Sequence, residues 1–251
     1  MKENISQALC AYIQDYAAQN RLPALWQTPI IKYASANDPL FPKLRELVVD
    51  SHQLPQDFLP GAVSVLSWFI PFLPAVSQGN EAGDRPPPQW HQAYTATNAM
   101  AAQVNQRLCQ FIQGLGYDAA VPVNAGTISP QQLVSRWSQR HVAYIAGHGT
   151  FGRNNMLISD QGCAGRYYSI VTTLPVPPDS RPEGERCLHK RNGSCGLCMA
   201  RCPMGALSPE GFLRERCYAR CMENMALQGP DGEDVCGKCL AGLPCSHRCP
   251  P

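Results

Sequence analysis

The residues most able to do chemistry are cysteines, and ten of the chain's 13 lie between Cys187 and Cys249. The segment Cys195-Gly-Leu-Cys198-Met-Ala-Arg-Cys202-Pro forms a CxxCxxxCP run. A dense supply of thiolates with proline after the last cysteine of such a run is typical of chains that hold cubane iron–sulfur clusters. The pattern therefore predicts ligands for two [4Fe–4S] clusters.

The assignment of cysteines to clusters follows from two-cluster ferredoxins, in which the cysteine before proline binds the other cluster. Eight of the ten cysteines are then used. The predicted ligands of the first cluster are Cys187, Cys195, Cys198 and Cys245, with Cys249 as the alternative to the last. Those of the second are Cys202, Cys236, Cys239 and one of Cys217 or Cys221, with Cys217 preferred.

Structural zinc is the alternative use of these cysteines, because CxxC pairs also suit zinc. The third cysteine of the run, the proline after it and the scarcity of neighbouring histidines, His189 and His247, favour clusters. Cys10 and Cys109 lie on helical faces and are predicted to be plain buried thiols, while Cys163 is left open.

Composition limits the partners. Charged residues make up 16% of the 251 residues and the net charge is +2, which gives no electrostatic case for nucleic acid or an anionic membrane. The N-terminal residues lack a signal-peptide pattern, and the most apolar run, 62–76, is interrupted by prolines. We therefore expect a cytoplasmic protein with no membrane partner, in a compartment where clustered cysteines serve metal or redox chemistry.

Hydrophobic periodicity predicts an α+β domain over 1–182 and a small cysteine-rich domain over 183–251, joined by a Pro-rich linker at 175–185. Segment 22–60 is expected to be irregular apart from one short helix, and 71–88 is expected to be a loop. The predicted helices are 5–18, 42–49, 89–115 and one that begins at Ser129-Pro130 and ends at Ala146. The predicted strands are 62–70, 117–123, 156–159 and 166–174, the last two antiparallel to each other.

A glycine-rich stretch follows the last predicted helix of the large domain. It formally matches GxGxxG, but it follows a helix and precedes a strand, so it is not a dinucleotide fingerprint. Its glycines could let the backbone approach a flat ligand, or they could simply form a tight turn. The predicted cofactor contacts are Gly147, His148, Gly149, Thr150, Gly152, Arg153 and Asn154.

The stretch 146–158, together with the CxxCxxxCP run and the VCGKC ending, resembles the epoxyqueuosine reductase and reductive dehalogenase superfamily, in particular its short double-cluster 4Fe–4S proteins. The resemblance implies a nitroreductase-like α+β domain that binds a cobalamin, followed by a ferredoxin-like two-cluster domain. Gly147, Gly149, Gly152 and Arg153 would then line the corrin pocket. It also implies an anaerobic oxidoreductase that receives electrons from a redox partner protein.

The chain departs from the family pattern in two places. Asn124 stands where epoxyqueuosine reductases carry an acid, and asparagine cannot act as an acid. Thr150-Phe-Gly-Arg153 replaces the family's Trp-x-Gly-Lys. These departures, the missing C-terminal domain and the lack of a basic patch argue against a tRNA substrate. The remaining candidate proton donors are Tyr144, His148, Tyr167 and Tyr168.

Three functions are compatible with the sequence. The first is a redox protein that passes low-potential electrons from two [4Fe–4S] clusters to a cobalamin-type cofactor or a small substrate. The second is a ferredoxin-like carrier that docks a partner protein and performs no chemistry of its own. A flavin-dependent reductase using FMN ranks last, because no flavin signature is present.

Overall fold

The computed structural model describes residues 1–122, 133–229 and 232–251. Its longest helix begins where Pro88 takes the first helical position, a place where proline's missing N–H costs nothing. The first six helices are α1 (Lys2–Gln19), α2 (Leu40–Leu47), α3 (Pro55–Phe58), α4 (Pro74–Gln78), α5 (Pro88–Gly114) and α6 (Gln139–Ile145). Three more lie in the cysteine-rich region: α7 (Leu188–Asn192), α8 (Leu197–Ala200) and α9 (Arg214–Leu227), followed by a 3₁₀ turn at Lys238–Leu240.

A four-stranded antiparallel sheet forms the centre of the larger part, in the order β1-β2-β6-β3. Its central strand β2, with sequence SVLSWFIP, is buried along its whole length, as expected for a β-branched and aromatic run covered on both faces. A separate two-stranded ribbon joins β4 to β5. The strands are β1 (Ile30–Ser35), β2 (Ser64–Pro71), β3 (Ala119–Ala120), β4 (Thr150–Phe151), β5 (Leu157–Ile158) and β6 (Gly165–Thr172).

Helices cover both faces of the sheet. On one face, the apolar stripes of α1 and α5 meet Leu66, Trp68 and Ile170. On the other, α2 and α6 pack with Val65 and Val171. Because side chains alternate across a strand, consecutive residues such as Val65 and Leu66 enter opposite cores.

The cysteine-rich region lies against one end of this three-layer arrangement. Val235 and Leu240 from that region pack with Phe72 at the end of β2 and Trp90 at the start of α5. The side of the larger part that faces the cysteines therefore consists of the end of β2, the start of β6 and the first turn of α5. No helix in the described ranges is long and apolar enough to cross a membrane.

The mixed helix-and-sheet class is confirmed, and most of the predicted elements exist, but the pairing prediction is wrong. Strand β5 pairs with β4 instead of β6, and β6 pairs with β2 and β3. Strand β1 was missed in a segment expected to be irregular, and the loop over 71–88 contains α4.

The predicted long helix ending at Ala146 is shorter than expected. Its proposed start, Ser129-Pro130, lies outside the described residues. Leu133 has φ 52° and Trp137 is buried beside Phe41 before α6 begins at Gln139. Burial of Trp137 holds the chain before α6 in a non-helical conformation, which hydrophobic periodicity could not predict.

Candidate metal centres

The first cysteine cavity is a small space of about 20 Å³ against the glycine-rich stretch. Cys187 directly precedes α7, and Cys198 lies within the single turn of α8. The Arg153 amide donates to Cys187 Sγ at 3.4 Å, a polarising contact of the kind that stabilises a thiolate. Four cysteines line this cavity: Cys187, Cys195, Cys198 and Cys245.

The second cysteine cavity is much larger, about 270 Å³, and lies between the cysteine-rich region and the end of the sheet. Cys217 and Cys221 are one helical turn apart on α9, so both face it. The Ala206 amide donates to Cys202 Sγ at 3.3 Å. Five cysteines line this cavity: Cys202, Cys217, Cys221, Cys236 and Cys239.

The two cavities share no cysteine, and they divide the CxxCxxxCP run between them. Cys195 and Cys198 face the first cavity while Cys202 faces the second. This is the division that the predicted ligand exchange requires, although the ligand role of each thiol stays a prediction. Cys249 lines neither cavity, and its amide donates to the Asp160 carbonyl at 3.2 Å.

Each cavity has one cysteine whose sulfur meets a second thiol. Cys163 Sγ lies 3.9 Å from Cys245 Sγ and donates to it, which lowers the pKa of Cys245 and raises that of Cys163. In the same way, hydrogen bonding from Cys221 lowers the pKa of Cys217 to about 7. Both pairs favour one thiolate, the form that binds metal. Cys163, left open by the sequence, is thus a buried thiol that contacts Cys245, one of the cysteines lining the first cavity.

The second cavity also gathers cations. Arg140, Arg166, Arg220 and Lys238 line it. Arg220 is paired with Asp84 and Glu223, and Lys238 donates to the carbonyls of Asn80 and Ala82. Arg140 and Arg166 have no carboxylate within 4 Å among the described residues. A cluster held by thiolates carries net negative charge, so these cations suit such an occupant.

The glycines of the GxGxxG-like stretch are required by the chain's own backbone. A Cβ on Gly149 would lie 1.8 Å from the Ile158 carbonyl oxygen, and one on Gly147, whose φ is +90°, would lie 2.4 Å from the Ser180 oxygen. A tight turn of the chain, the alternative to ligand contact, therefore explains why glycine is needed at these two positions. Of the predicted cofactor contacts, only Gly152, Arg153 and Asn154 line a cysteine cavity.

His148 and Thr150 hold the stretch in place. Nε2 of His148 is 3.0 Å from the Ser67 carbonyl, and Thr150 Oγ1 donates to Glu185 at 2.8 Å. Arg186 donates to the carbonyls of His148 and Ile158, which fixes the end of the linker on the same turn.

Asn154 forms part of the wall of both cavities. Its Nδ2 donates to the Cys239 carbonyl at 2.8 Å and approaches Cys163 Sγ at 3.7 Å, while its Oδ1 accepts from the Met156 amide. One buried side chain thus lines both cavities and contacts Cys239 of the second as well as Cys163, which touches Cys245 of the first.

The four candidate proton donors, Tyr144, His148, Tyr167 and Tyr168, line neither cysteine cavity. Burial raises the pKa of Tyr167, whose hydroxyl donates to the Leu157 carbonyl. Burial also lowers the pKa of His148 to about 4 and raises that of Tyr168. The hydroxyl that does line the second cavity is that of Tyr94, which sequence reasoning missed together with Arg140 and Arg166. Arg166 is the one charged residue of strand β6, near its start, and this was a sequence signal that could have identified it as a site residue.

Comparison with known proteins finds similarity to epoxyqueuosine reductases and to a reductive dehalogenase. No protein-family model matches the chain. An epoxyqueuosine reductase of Vibrio cholerae is 24% identical over 175 residues, which covers 69% of this chain and 44% of that protein. The chain therefore spans less than half the length of this curated relative.

Solved structures share the fold. An epoxyqueuosine reductase bound to an epoxyqueuosine-modified tRNA-Tyr stem loop matches 88% of this chain and 58% of its own, with a TM-score of 0.51 and 18% identity. A reductive dehalogenase structure described as suggesting a mechanism for B12-dependent dehalogenation matches 88% of this chain and 30% of its own, with a TM-score of 0.58 and 15% identity. These two structures show that the chain shares their fold.

The comparisons correct one expectation. The sequence argued against a tRNA substrate and against any nucleic-acid partner, yet a protein of the same fold is bound to a tRNA stem loop. That argument used net charge, although a local surface can bind RNA on a nearly neutral chain. It also used the end of the chain, which does not limit a sequence that covers only part of its relatives.

Proposed function

We propose that the chain is an iron–sulfur oxidoreductase whose two cysteine cavities each hold a [4Fe–4S] cluster. The observation that carries this proposal is the separation of nine cysteines into two non-overlapping sets of four and five. The coarse function, reductive chemistry with iron–sulfur and cobalamin cofactors, is the one the related structures support. In finer detail, we propose a nitroreductase-like domain followed by a ferredoxin-like domain, with the boundary near 182.

The chain's own residues provide three things that such clusters need. Thiolates hold the iron, and backbone amides at Arg153 and Ala206 donate to the sulfurs of Cys187 and Cys202. Aromatic and apolar walls exclude water, which increases the effect of each nearby charge. A [4Fe–4S] cluster supplies one-electron transfer, and the chain sets its environment and where the electron can leave.

A corrinoid is proposed on the comparisons alone. The described residues of the glycine-rich stretch do not form a cradle for a macrocycle, because Gly147 and Gly149 lie against their own chain and leave no room for a Cβ. We therefore derive no step through a corrinoid. Residue Asn124, on which the acid comparison depends, lies outside the described residues.

The test is elemental analysis and spectroscopy of protein purified without oxygen. We expect about eight iron and eight sulfide per chain and, after reduction, the electron paramagnetic resonance signals of two interacting [4Fe–4S] clusters. Zinc without sulfide would contradict the proposal. Cobalt retained after cobalamin is offered would favour the corrinoid. Bound flavin, or full clusters with tight binding of only a protein partner, would favour the flavin or carrier alternatives.

A tRNA stem loop is a second candidate substrate, supported by the structure that shares this fold. The experiment is to reduce the cluster-loaded protein, supply cobalamin and add an epoxyqueuosine-modified stem loop. We expect saturable binding and a change in the mass of the modified nucleoside. Binding that does not distinguish the modified from the unmodified stem loop would contradict this candidate.

A further inference from the structure

The two cysteine cavities differ greatly in size although each has enough thiols for one cluster. The first has about 20 Å³ and the second about 270 Å³. If each takes one cubane, as the proposed function states, the second cavity still extends past its cysteines to Phe72, Trp90 and Arg166 of the larger part. We propose that this remaining space, at the β2, β6 and α5 end of the second cavity, binds a small organic anion with an aromatic or apolar body.

The charge at this end calls for an anion. Arg140 and Arg166 both line the cavity and are half-buried. Nη1 of Arg140 donates to the Asn155 carbonyl at 2.7 Å, and the Arg166 guanidinium lies 4.3 Å from the centre of the Tyr94 ring. Enclosed guanidinium groups without a carboxylate partner are costly, and a bidentate anion is their natural complement.

The charged groups around this end of the cavity include the guanidinium groups of Arg140 and Arg166 and the carboxylate of Asp234. Burial and then the neighbouring Arg166 lower the pKa of Arg140. At Arg166, burial is outweighed by Tyr168 and Tyr94, which raise its pKa. Asp234 also lines the cavity, but it accepts a hydrogen bond from the Tyr94 hydroxyl at 3.3 Å and forms no ion pair with either arginine. An added negative group would therefore be stabilised by both guanidinium groups.

The walls around the arginines are apolar and aromatic. Phe72 and Trp90 meet edge to face with centroids 5.4 Å apart, and Met156 and Phe212 add further apolar surface. Convergent charges in a mostly apolar cavity with aromatic walls are the usual composition of a small-molecule site. Because Cys236 and Cys239 line the same cavity, a ligand bound here would lie beside the second cluster, in position to receive its electrons.

The test measures binding to cluster-loaded protein by calorimetry, with benzoate and phenyl phosphate as probes that distinguish a carboxylate from a phosphate. Benzamide serves as the neutral match and inorganic phosphate as the anion without an apolar body. We expect one or both aromatic anions to bind at least about tenfold more tightly than benzamide or inorganic phosphate. Arg140→Gln and Arg166→Gln should each weaken that binding at least about tenfold. Exposed Arg136→Gln is the matched control and should leave it unchanged.

A second readout separates this inference from the proposed function. The paramagnetic resonance spectrum of the reduced second cluster should change when the aromatic anion binds, with equal iron and sulfide in every variant. Missing iron and sulfide would defeat the proposed function. Full clusters without binding, equal affinity for benzoate and benzamide, or arginine-dependent binding of cobalamin but not of the aromatic anions would overturn the inference.

Discussion

At the scale of single residues, the chain uses buried polar groups to hold the walls of its two cysteine cavities in position. Asn154 is the clearest case, since its amide joins the carbonyl of Cys239, the sulfur of Cys163 and the amide of Met156. Leucine has a similar size but none of these bonds. It would leave buried backbone groups without partners, which costs about 1–3 kcal/mol for each group.

We therefore expect Asn154→Leu to lower the free energy of unfolding by about 2 kcal/mol or more and to reduce the iron content of both centres. Chemical denaturation and iron analysis would measure these effects. Exposed Asn4→Ala on α1 is the control, expected within about 0.5 kcal/mol of the parent. Full iron and unchanged stability in Asn154→Leu would show that the amide does not support the centres.

His148 links stability to pH. Burial lowers its pKa to about 4, below the ordinary value near 6.5, so the folded state keeps it neutral while the unfolded state takes up a proton. Its contribution is present above the unfolded pKa and is lost as pH falls toward the folded pKa. From about pH 7.5 to 5.5, the parent should lose roughly 1 kcal/mol more than His148→Gln, which keeps a donor for the Ser67 carbonyl. Denaturation curves at both pH values would show this, and parallel losses in the two proteins would contradict it.

At the scale of elements, helix α9 supplies the second cavity with two candidate ligands where the proposed cluster needs one. Cys217 and Cys221 are one turn apart on the same face. Either thiol could reach the same iron after a small shift of the helix, so the unresolved choice between them in the sequence has a structural basis.

We expect Cys217→Ser and Cys221→Ser to keep both clusters, and the double variant to lose the second, with about half of the iron. Cys236→Ser, which has no neighbouring substitute, should lose the second cluster as a single variant. Iron and sulfide counts with paramagnetic resonance measure this. Loss of the cluster in one of the single α9 variants would identify that cysteine as the sole ligand.

The elements also show what sequence could and could not reveal. The long stripe of α5 and the apolar run of β2 were predicted because their burial follows local periodicity. The pairing of β4 with β5 was not, because the tight approach at Gly149 depends on where Ile158 returns. Arg166 was missed as a site residue for the same reason, since its cavity forms only when the cysteine-rich region docks on the sheet.

At the scale of the whole molecule, function depends on that docking, which brings thiols from one region to aromatic and basic groups of the other. One close contact between the two regions is at Gly237, between the cysteines of the CGKC pair. A Cβ there would lie 2.3 Å from the Trp90 ring, and φ is +73°. Trp90 in turn packs against Phe72, so the contact continues to the end of the sheet.

Gly237→Ala should therefore destabilise the protein and empty the second centre, and Gly193→Ala provides a matched comparison. Both glycines have φ +73°, but nothing lies within 4 Å of a Cβ at Gly193. Alanine at 193 carries only the left-handed backbone penalty of about 1–2 kcal/mol. Alanine at 237 adds a clash with a packed ring, about 1–3 kcal/mol more. Thermal unfolding and iron counts on both variants measure the cost of the clash with Trp90, because the cost of the left-handed backbone conformation is common to the two variants. Equal losses in the two would mean that the Trp90 contact does not hold the cysteine-rich region on the sheet.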